Sequence, residues 1–355
     1  MNTTQEQGNF SNDSNYVTQK YGHACVSVFQ QWIIYVYLAF FSVGCFTNFV
    51  QSLLLIARGR NGLMSIILQI SIADILLYFV GAIEILSSYH CTWRYSTHGC
   101  VAFKGAEILG NTLVPYLIVC LNFHVISLWN LHKFEARKNC KNPLTSGKED
   151  DECLVAKDEN NRTLTIDYRK RKNDVSVIFP LIFVWFICLS ISVPYFLFST
   201  TVNDGDKISC VVVENSYGTI LHSLILLFSF VLPYALVFSS LVLLLFKLSK
   251  TSQKDIDNVV TKQFEEIRKL LIFCALFSIV YMFISLQRYV LNTTVTIRQF
   301  FILNNYYFDI VNTYQSMLHY SGSAFRWVIC FYMIPHFRET ILSKLYICRN
   351  KDGNA

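Results

Sequence analysis

Charged residues are scarce in this chain of 355 residues, because Asp, Glu, Lys and Arg together make up only 15% of it. An ordinary soluble protein carries about 25%. The deficit leaves too little charge for a water-facing surface, and the mean hydropathy of +0.38 agrees with this. The net charge is +6, but it is not collected into one basic or acidic block over the length of the chain. We therefore expect a membrane protein with no nucleic-acid partner.

Enzyme motifs are also missing. The sequence has no Gly-rich phosphate loop, no His-Glu-x-x-His and no Gly-x-Ser-x-Gly, and no set of residues has the spacing of a metal site. We expect a protein that is not an enzyme and that carries no cofactor.

Long apolar runs account for the composition. A membrane-spanning helix needs about 20 mostly apolar residues, and seven stretches of the chain meet that length. They do not alternate between apolar and polar residues, which excludes a β-barrel. The sequence predicts an all-α membrane protein, a bundle of seven transmembrane helices within 32–334. The predicted spans are 32–57, 64–88, 100–131, 175–198, 219–248, 270–291 and 306–334.

Lys and Arg are divided unequally between the two sides of this bundle. One side holds Lys20, Arg94, Lys207 and Arg298, and all other cations of the loops and tail fall on the opposite side. The basic side of a membrane protein faces the cytosol. We therefore expect an extracellular N-terminus, a cytosolic C-terminus and a location in the plasma membrane.

The N-terminal tail, 1–31, contains three Asn-x-Ser/Thr sequons. They lie at Asn2, Asn9 and Asn12, and an extracellular tail allows them to be glycosylated. Sequons also arise by chance in tails rich in Asn and Ser. A fourth sequon, at Asn161, falls on the cytosolic side and should stay unmodified.

Two cytosolic segments stand out. The loop 132–174 mixes both charge signs, and we expect it to be disordered. In 335–355, apolar residues at helical spacing alternate with Arg and Lys, which predicts a short amphipathic eighth helix on the inner leaflet, followed by the tail. Cys348 is a weak palmitoylation candidate, and a plain thiol fits equally well.

Several residues occur in an order and spacing that resemble the rhodopsin-like G-protein-coupled receptors, over nearly the whole chain. They are Asn48 in the first span, Asp74 in the second, Trp93 before Cys100, Trp185 and Pro194 in the fourth, Cys210 in the second outer loop, and Phe230 and Pro233 in the fifth. The segments 82–86 and 91–120 are also faintly similar to the receptors for gonadotropin-releasing hormone, adipokinetic hormone and corazonin. The resemblance implies a receptor for an extracellular ligand that acts on a heterotrimeric G protein.

Four of the twelve cysteines fall on the extracellular side by this topology, where disulfides persist: Cys25, Cys91, Cys100 and Cys210. Four cysteines allow three pairings. The resemblance implies a disulfide between Cys100 and Cys210, which leaves Cys25 and Cys91 for a second bond.

The chain departs from the family at the residues that drive switching. The acidic-Arg-Tyr triplet falls on His124, Val125 and Ile126, so the arginine that engages the G protein is missing. In the sixth span Phe277 is kept, but the kinking proline is lost. The Asn-Pro-x-x-Tyr motif falls on 326–330, where Arg326 stands in the place of the asparagine. These changes predict weak coupling through a different inner surface, or no G-protein signalling.

Asp74 and Arg326 are ionisable residues at membrane depth, where such groups are costly and usually functional. The resemblance implies that their positions face each other around a sodium site. We expect a direct ion pair in which the guanidinium replaces the sodium ion. In the alternative, Arg326 extends towards the inner interface.

A second group of charges lies near the outer ends of the second, third and sixth spans. We expect Glu84, Lys104, Glu107 and Arg288 to line a ligand pocket with Tyr281. The mixed charges favour a peptide ligand, with an amine as the alternative. The competing interpretation is an internal ion pair of Lys104 with Glu84 or Glu107.

The function that we expect is therefore a divergent cell-surface peptide receptor, embedded in the lipid bilayer. One alternative is a silent receptor that sequesters its ligand or forms heterodimers. Another is a seven-helix ligand-gated channel of the insect chemoreceptor type, although such channels have the opposite orientation.

Overall fold

The computed structural model describes residues 31–57, 62–90, 92–141, 176–204, 207–212, 224, 226–251, 261–298, 305–333 and 338. This part of the chain is almost wholly helical. Its elements are α1 (Gln31–Ala57), α2 (Gly62–His90), α3 (Thr97–Lys141), α4 (Ile178–Phe198), β1 (Ser199–Asp204), β2 (Lys207–Val212), a π-helical turn (Leu227–Val231), α5 (Leu232–Thr251), α6 (Thr261–Arg298) and α7 (Asn305–Met333).

Six of these helices are long and apolar enough to cross a membrane. The qualifying segments are Ile34–Ile56, Gly62–Ser87, Thr97–Leu131, Ile178–Phe198, Leu227–Ser249 and Glu265–Leu286. They confirm a helical, membrane-type protein and agree with the first six predicted spans. The seventh predicted span coincides with α7, a helix of 29 residues. The amphipathic segment expected after it lies outside the described residues, apart from Arg338.

Helix α3 is the centre of the bundle. It packs against α2, α4, α5 and α6, while α7 closes the bundle by packing against α6, α1 and α2. Leu113, Leu117, Leu121 and Val125 recur every fourth residue along α3 and are all fully buried. Because neighbouring helices cover α3 on several sides, it is apolar around most of its circumference.

Helix α3 also corrects one prediction. It continues to Lys141, beyond the predicted span end at Leu131 and into the loop 132–174 that we expected to be disordered. Residues 132–141 contain neither Gly nor Pro and include several good helix formers. The described helix ends at Lys141, and the sequence continues with Asn-Pro, a pair whose first residue disfavours a helical conformation.

A β-hairpin follows α4 and was not predicted. Strands β1 and β2 are antiparallel, with Ser199 opposite Val212 and Asp204 opposite Lys207. The hairpin contacts the first part of α3. We call this side of the bundle the hairpin end and the opposite side, where α2 and α4 begin, the far end.

Candidate functional site

The centre of the bundle contains a buried ion pair between α2 and α7. Arg326 Nε donates to Asp74 Oδ2 at 3.1 Å, and Arg326 Nη2 donates to Asp74 Oδ1. Asp74 is 1% exposed and Arg326 is 4% exposed. The guanidinium therefore meets the carboxylate as a two-pronged fork, the geometry in which Arg binds carboxylates most strongly. The expected ion pair is formed, and Arg326 does not extend to the interface.

Aromatic and small residues surround this pair. The ring of Tyr281, on α6, lies 6.0 Å from the guanidinium carbon of Arg326, which is within the range of a cation–π contact. Gly322 lies one turn before Arg326, and a Cβ atom there would be 3.6 Å from Arg326 Nη1 and 3.0 Å from Ile284. The guanidinium is thus enclosed by α2, α6 and α7 and is held by packing as well as by charge.

Two further polar contacts tie α7 to its neighbours. The Tyr320 hydroxyl donates to Glu84 Oε2 on α2, and His319 Nε2 lies 2.9 Å from Asn111 Oδ1 on α3. Consecutive residues of α7 therefore bind two different helices. Together with the ion pair, these contacts form a line of buried polar groups that we call the polar axis.

The far half of the bundle holds a neutral polar cluster that joins three helices. Asn122 Nδ2 on α3 donates to Ser240 Oγ on α5 at 2.8 Å and to Ser278 Oγ on α6 at 2.9 Å. Ser278 in turn lies 3.3 Å from Asn122 Oδ1. All three residues are buried. One amide therefore fixes the relative positions of α3, α5 and α6.

Helix α5 starts irregularly. The π-helical turn Leu227–Val231 precedes Pro233, and such turns are frequent at functional sites. The Tyr116 hydroxyl donates to the carbonyl oxygen of Phe228 at 2.9 Å. This contact gives one of the carbonyls of the irregular turn a partner on α3.

The hairpin end is anchored to α3. Cys100 and Cys210 form a disulfide with a Cα–Cα distance of 5.5 Å, as the resemblance implies. The Trp93 backbone N–H donates to the carbonyl oxygen of Ile208 at 2.7 Å, and its buried indole N–H donates to Ser96 O. Trp93 therefore joins the hairpin to the segment that leads into α3.

The residues predicted to bind a ligand do not form one group, because they take part in separate contacts. Lys104 Nζ lies 3.0 Å from Glu107 Oε2, and their side chains are 26% and 15% exposed. This is one of the internal pairs considered as the competing interpretation. Glu84 accepts from Tyr320, and Tyr281 is buried beside Arg326. The Arg288 side chain lies outside the described residues.

The other residues predicted for the switch and the core are packed inside the bundle or make contacts within it. Asn48 Nδ2 donates to Gly44 O within α1 at 2.9 Å. Phe277 is fully buried on α6, and Val125 is fully buried on α3. His124 packs closely on the start of α2, because a Cβ atom at Gly62 would be 2.7 Å from its ring.

Other predictions fall outside the described part of the chain. These are the second disulfide, the sequons and the palmitoylation candidate, at Cys25, Cys91, Asn2, Asn9, Asn12 and Cys348.

Sequence reasoning missed Tyr320, His319, Asn111 and Asn122. Each is a polar side chain inside an apolar span, and that is a signal in the sequence by itself. The hairpin also had a signal, because Asn203-Asp204-Gly205-Asp206 separates two short runs rich in Thr, Val and Ile.

No protein-family model matches the chain, and no curated protein matches it.

Proposed function

We propose that the chain is a divergent rhodopsin-like receptor of the plasma membrane that binds an extracellular peptide at its hairpin end. The observation that carries the proposal is the Cys100–Cys210 disulfide, which ties the start of the central helix to the hairpin after α4. In this arrangement a ligand-binding mouth is held rigid by α3, and the polar axis leads from it into the bundle.

The orientation follows from the same disulfide. Disulfides persist in oxidising compartments, so the hairpin end faces outwards. Helix α7 has 29 residues, about 44 Å at 1.5 Å per residue, which is more than the roughly 30 Å of hydrocarbon requires. With α7 as the seventh span, the N-terminus is extracellular and 335–355 is cytosolic.

The ligand class follows from Lys104 and Glu107. Their ion pair lies on the first turns of α3 and is partly exposed, so both charges are accessible to a ligand that enters from the hairpin end. A peptide offers groups of both signs and can bind both residues. An amine can bind only Glu107, where Lys104 already competes for the carboxylate.

Signal transmission is assigned to the polar axis. Tyr320 and His319 join α7 to α2 and α3, so a ligand that shifts α3 at the hairpin end also changes contacts of α7. Binding then shifts the equilibrium between arrangements of the bundle. The cluster around Asn122 holds α6 to α3 in the far half and is the contact that such a shift must loosen.

A second candidate function is a receptor that binds ligand without activating a G protein. It is favoured by the surroundings of His124 and Val125, which stand where the resemblance implies the acidic and arginine residues of the triplet. Val125 is fully buried and His124 packs on Gly62. Neither residue is the carboxylate or the guanidinium of that triplet.

The proposal is tested by measuring calcium and cyclic AMP in cells that display the tagged chain and are exposed to peptide and amine panels. We expect a peptide to give a dose-dependent response that Glu107→Ala weakens at least tenfold. Glu265→Ala is the matched control. Glu265 also pairs with a lysine, Lys269 at 2.9 Å, but near the start of α6, at the far end of the bundle. Surface binding without a messenger response supports the silent receptor, and a ligand-gated current contradicts both.

A further inference from the structure

The β-hairpin after α4 has two edges, and the edge of β2 is already covered. The Ile208 N–H donates to the Thr92 hydroxyl oxygen at 3.1 Å, and the Ile208 carbonyl oxygen accepts from the Trp93 N–H at 2.7 Å. Both main-chain groups of Ile208 therefore point away from β1. The segment that leads into α3 binds this edge of the hairpin.

The register of the hairpin determines what the edge of β1 offers. In an antiparallel pair, a residue whose main-chain groups point outwards lies opposite another such residue, and this kind of pair recurs at every second position. Ile208 lies opposite Asn203, and Cys210 lies opposite Thr201. The N–H and C=O groups of Asn203 and Thr201 therefore point outwards from β1. No main-chain group of the described residues bonds to these groups.

This edge is accessible and lies beside α3. Asn203 is exposed, and Val202 is 47% exposed. The Thr201 hydroxyl lies 2.8 Å from the hydroxyl of Thr97, on the first turn of α3. Successive side chains of a strand point to opposite faces, so Thr201 faces α3 and Val202 faces away from it. A strand added here would place alternate side chains towards α3 and beside Val202.

A row of main-chain groups selects a peptide as its occupant. The donors and acceptors of a strand edge are matched by another extended chain, which carries the same groups at the same repeat of about 3.4 Å per residue. Peptides bind exposed sheet edges in this way, through main-chain hydrogen bonds. An amine or a lipid has no such repeat. The edge of β1 therefore favours the peptide over the amine as the ligand.

The edge lies within reach of the Lys104–Glu107 ion pair. Thr201 contacts Thr97, and Lys104 follows seven residues later on α3, about 10 Å along the helix at 1.5 Å per residue. About three residues of an extended peptide cover this distance. One peptide can therefore pair with β1 and also bind the two charges on α3.

We propose that β1 binds the peptide ligand by strand addition, in which the outward N–H and C=O groups of Thr201 and Asn203 pair with the main chain of the peptide. The inference rests on the proposed function, because it assigns a part of the peptide site. It requires a ligand segment that is extended and that has a free N–H at every position facing β1.

The test uses the full chain at the cell surface and the panel peptide that binds it most tightly. The peptide is synthesised with a single N-methyl group on each main-chain nitrogen in turn. Only every second N–H of an added strand points towards β1. The affinity should therefore fall several-fold at alternate positions of the paired stretch and change little at the positions between them. Losses without this alternation would overturn the proposal.

A variant of the chain tests the same contact from the other side. Asn203→Pro removes one outward N–H from β1, a change that edge strands tolerate. It should lower the peptide affinity several-fold at equal surface level. Asn203→Thr replaces the same side chain but keeps the N–H, so it should bind the peptide several-fold more tightly than Asn203→Pro. Equal affinities of the two variants would contradict strand addition. If Asn203→Pro does not reach the surface, the N-methyl series on the unchanged chain decides.

The outcomes separate this inference from the proposed function. Peptide binding that depends on Glu107 but shows no alternation, and no difference between the Asn203 variants, contradicts strand addition and leaves the receptor standing. Binding of no peptide contradicts both. Self-association of the chain that Asn203→Pro abolishes would show that a second copy binds the edge of β1, and it would also overturn the proposal.

Discussion

Arg326 on α7 and Asp74 on α2 form a buried bidentate ion pair at the centre of the bundle, with Nε 3.1 Å from Oδ2. Both residues lie where water is scarce, so each charge depends on the other for its stability. This dependence makes the pair the most informative place to perturb the protein.

Removal of either charge should destabilise the bundle. Asp74→Ala or Arg326→Ala leaves an uncompensated buried charge, which costs about 3–5 kcal/mol. We expect each variant to reach the cell surface poorly and to melt at a lower temperature in detergent. Surface immunostaining and thermal unfolding measure the two effects.

Exchange of the two charges supplies the control for this prediction. Asp74→Arg combined with Arg326→Asp restores a pair and should recover a substantial part of the surface expression. Normal expression of both single variants together with failure of the exchange would rule out the pairing as a source of stability.

Sodium should have no specific effect on the wild-type chain. The guanidinium already occupies the position beside Asp74, so replacing choline chloride by sodium chloride at equal ionic strength should leave the melting temperature unchanged. In Arg326→Asn the carboxylate lacks its cation, and sodium should raise the melting temperature by linkage. A sodium-dependent rise in the wild type would show that the ion pair does not fill the site.

The Asn122 cluster should contribute modestly to stability, and the effects of removing its three side chains should not add up. A hydrogen bond between membrane helices contributes about 0.6 kcal/mol on average, so Ser240→Ala and Ser278→Ala should each cost about that much. Asn122→Ala removes the contacts to both serines and should cost more than either. The triple variant should then be hardly less stable than Asn122→Ala, and strictly additive effects in thermal unfolding would contradict the shared contact.

The disulfide variants should behave as a unit. Cys100→Ser, Cys210→Ser and the double variant each open the same bond, and all three should lose surface expression to the same extent. Cys120→Ser, at a partly buried free cysteine of α3, is the matched control and should express normally. A double variant that is clearly worse than either single one would argue against a bond between these two residues.

Much of the fold could be predicted from the sequence, because the first six spans follow from length and apolar composition alone. The Asp74–Arg326 pair was predicted from two opposite charges at membrane depth together with the resemblance, which implies that their positions face each other. The extension of α3 to Lys141 was missed because mixed charge was weighed above helix propensity. The partner of Glu84 was missed because a neutral tyrosine satisfies it, and that choice depends on how α2 and α7 are rotated towards each other.

The most direct test of the account is the orientation of the chain, because a seven-span receptor with its hairpin end outside requires an extracellular N-terminus. In intact cells, Asn2, Asn9 and Asn12 should carry glycans that are lost in the triple Asn→Gln variant, whereas Asn161→Gln should change nothing. A C-terminal epitope should be stained only after permeabilisation. An unglycosylated N-terminus that is stained only in permeabilised cells would contradict the account and favour a bundle of opposite orientation.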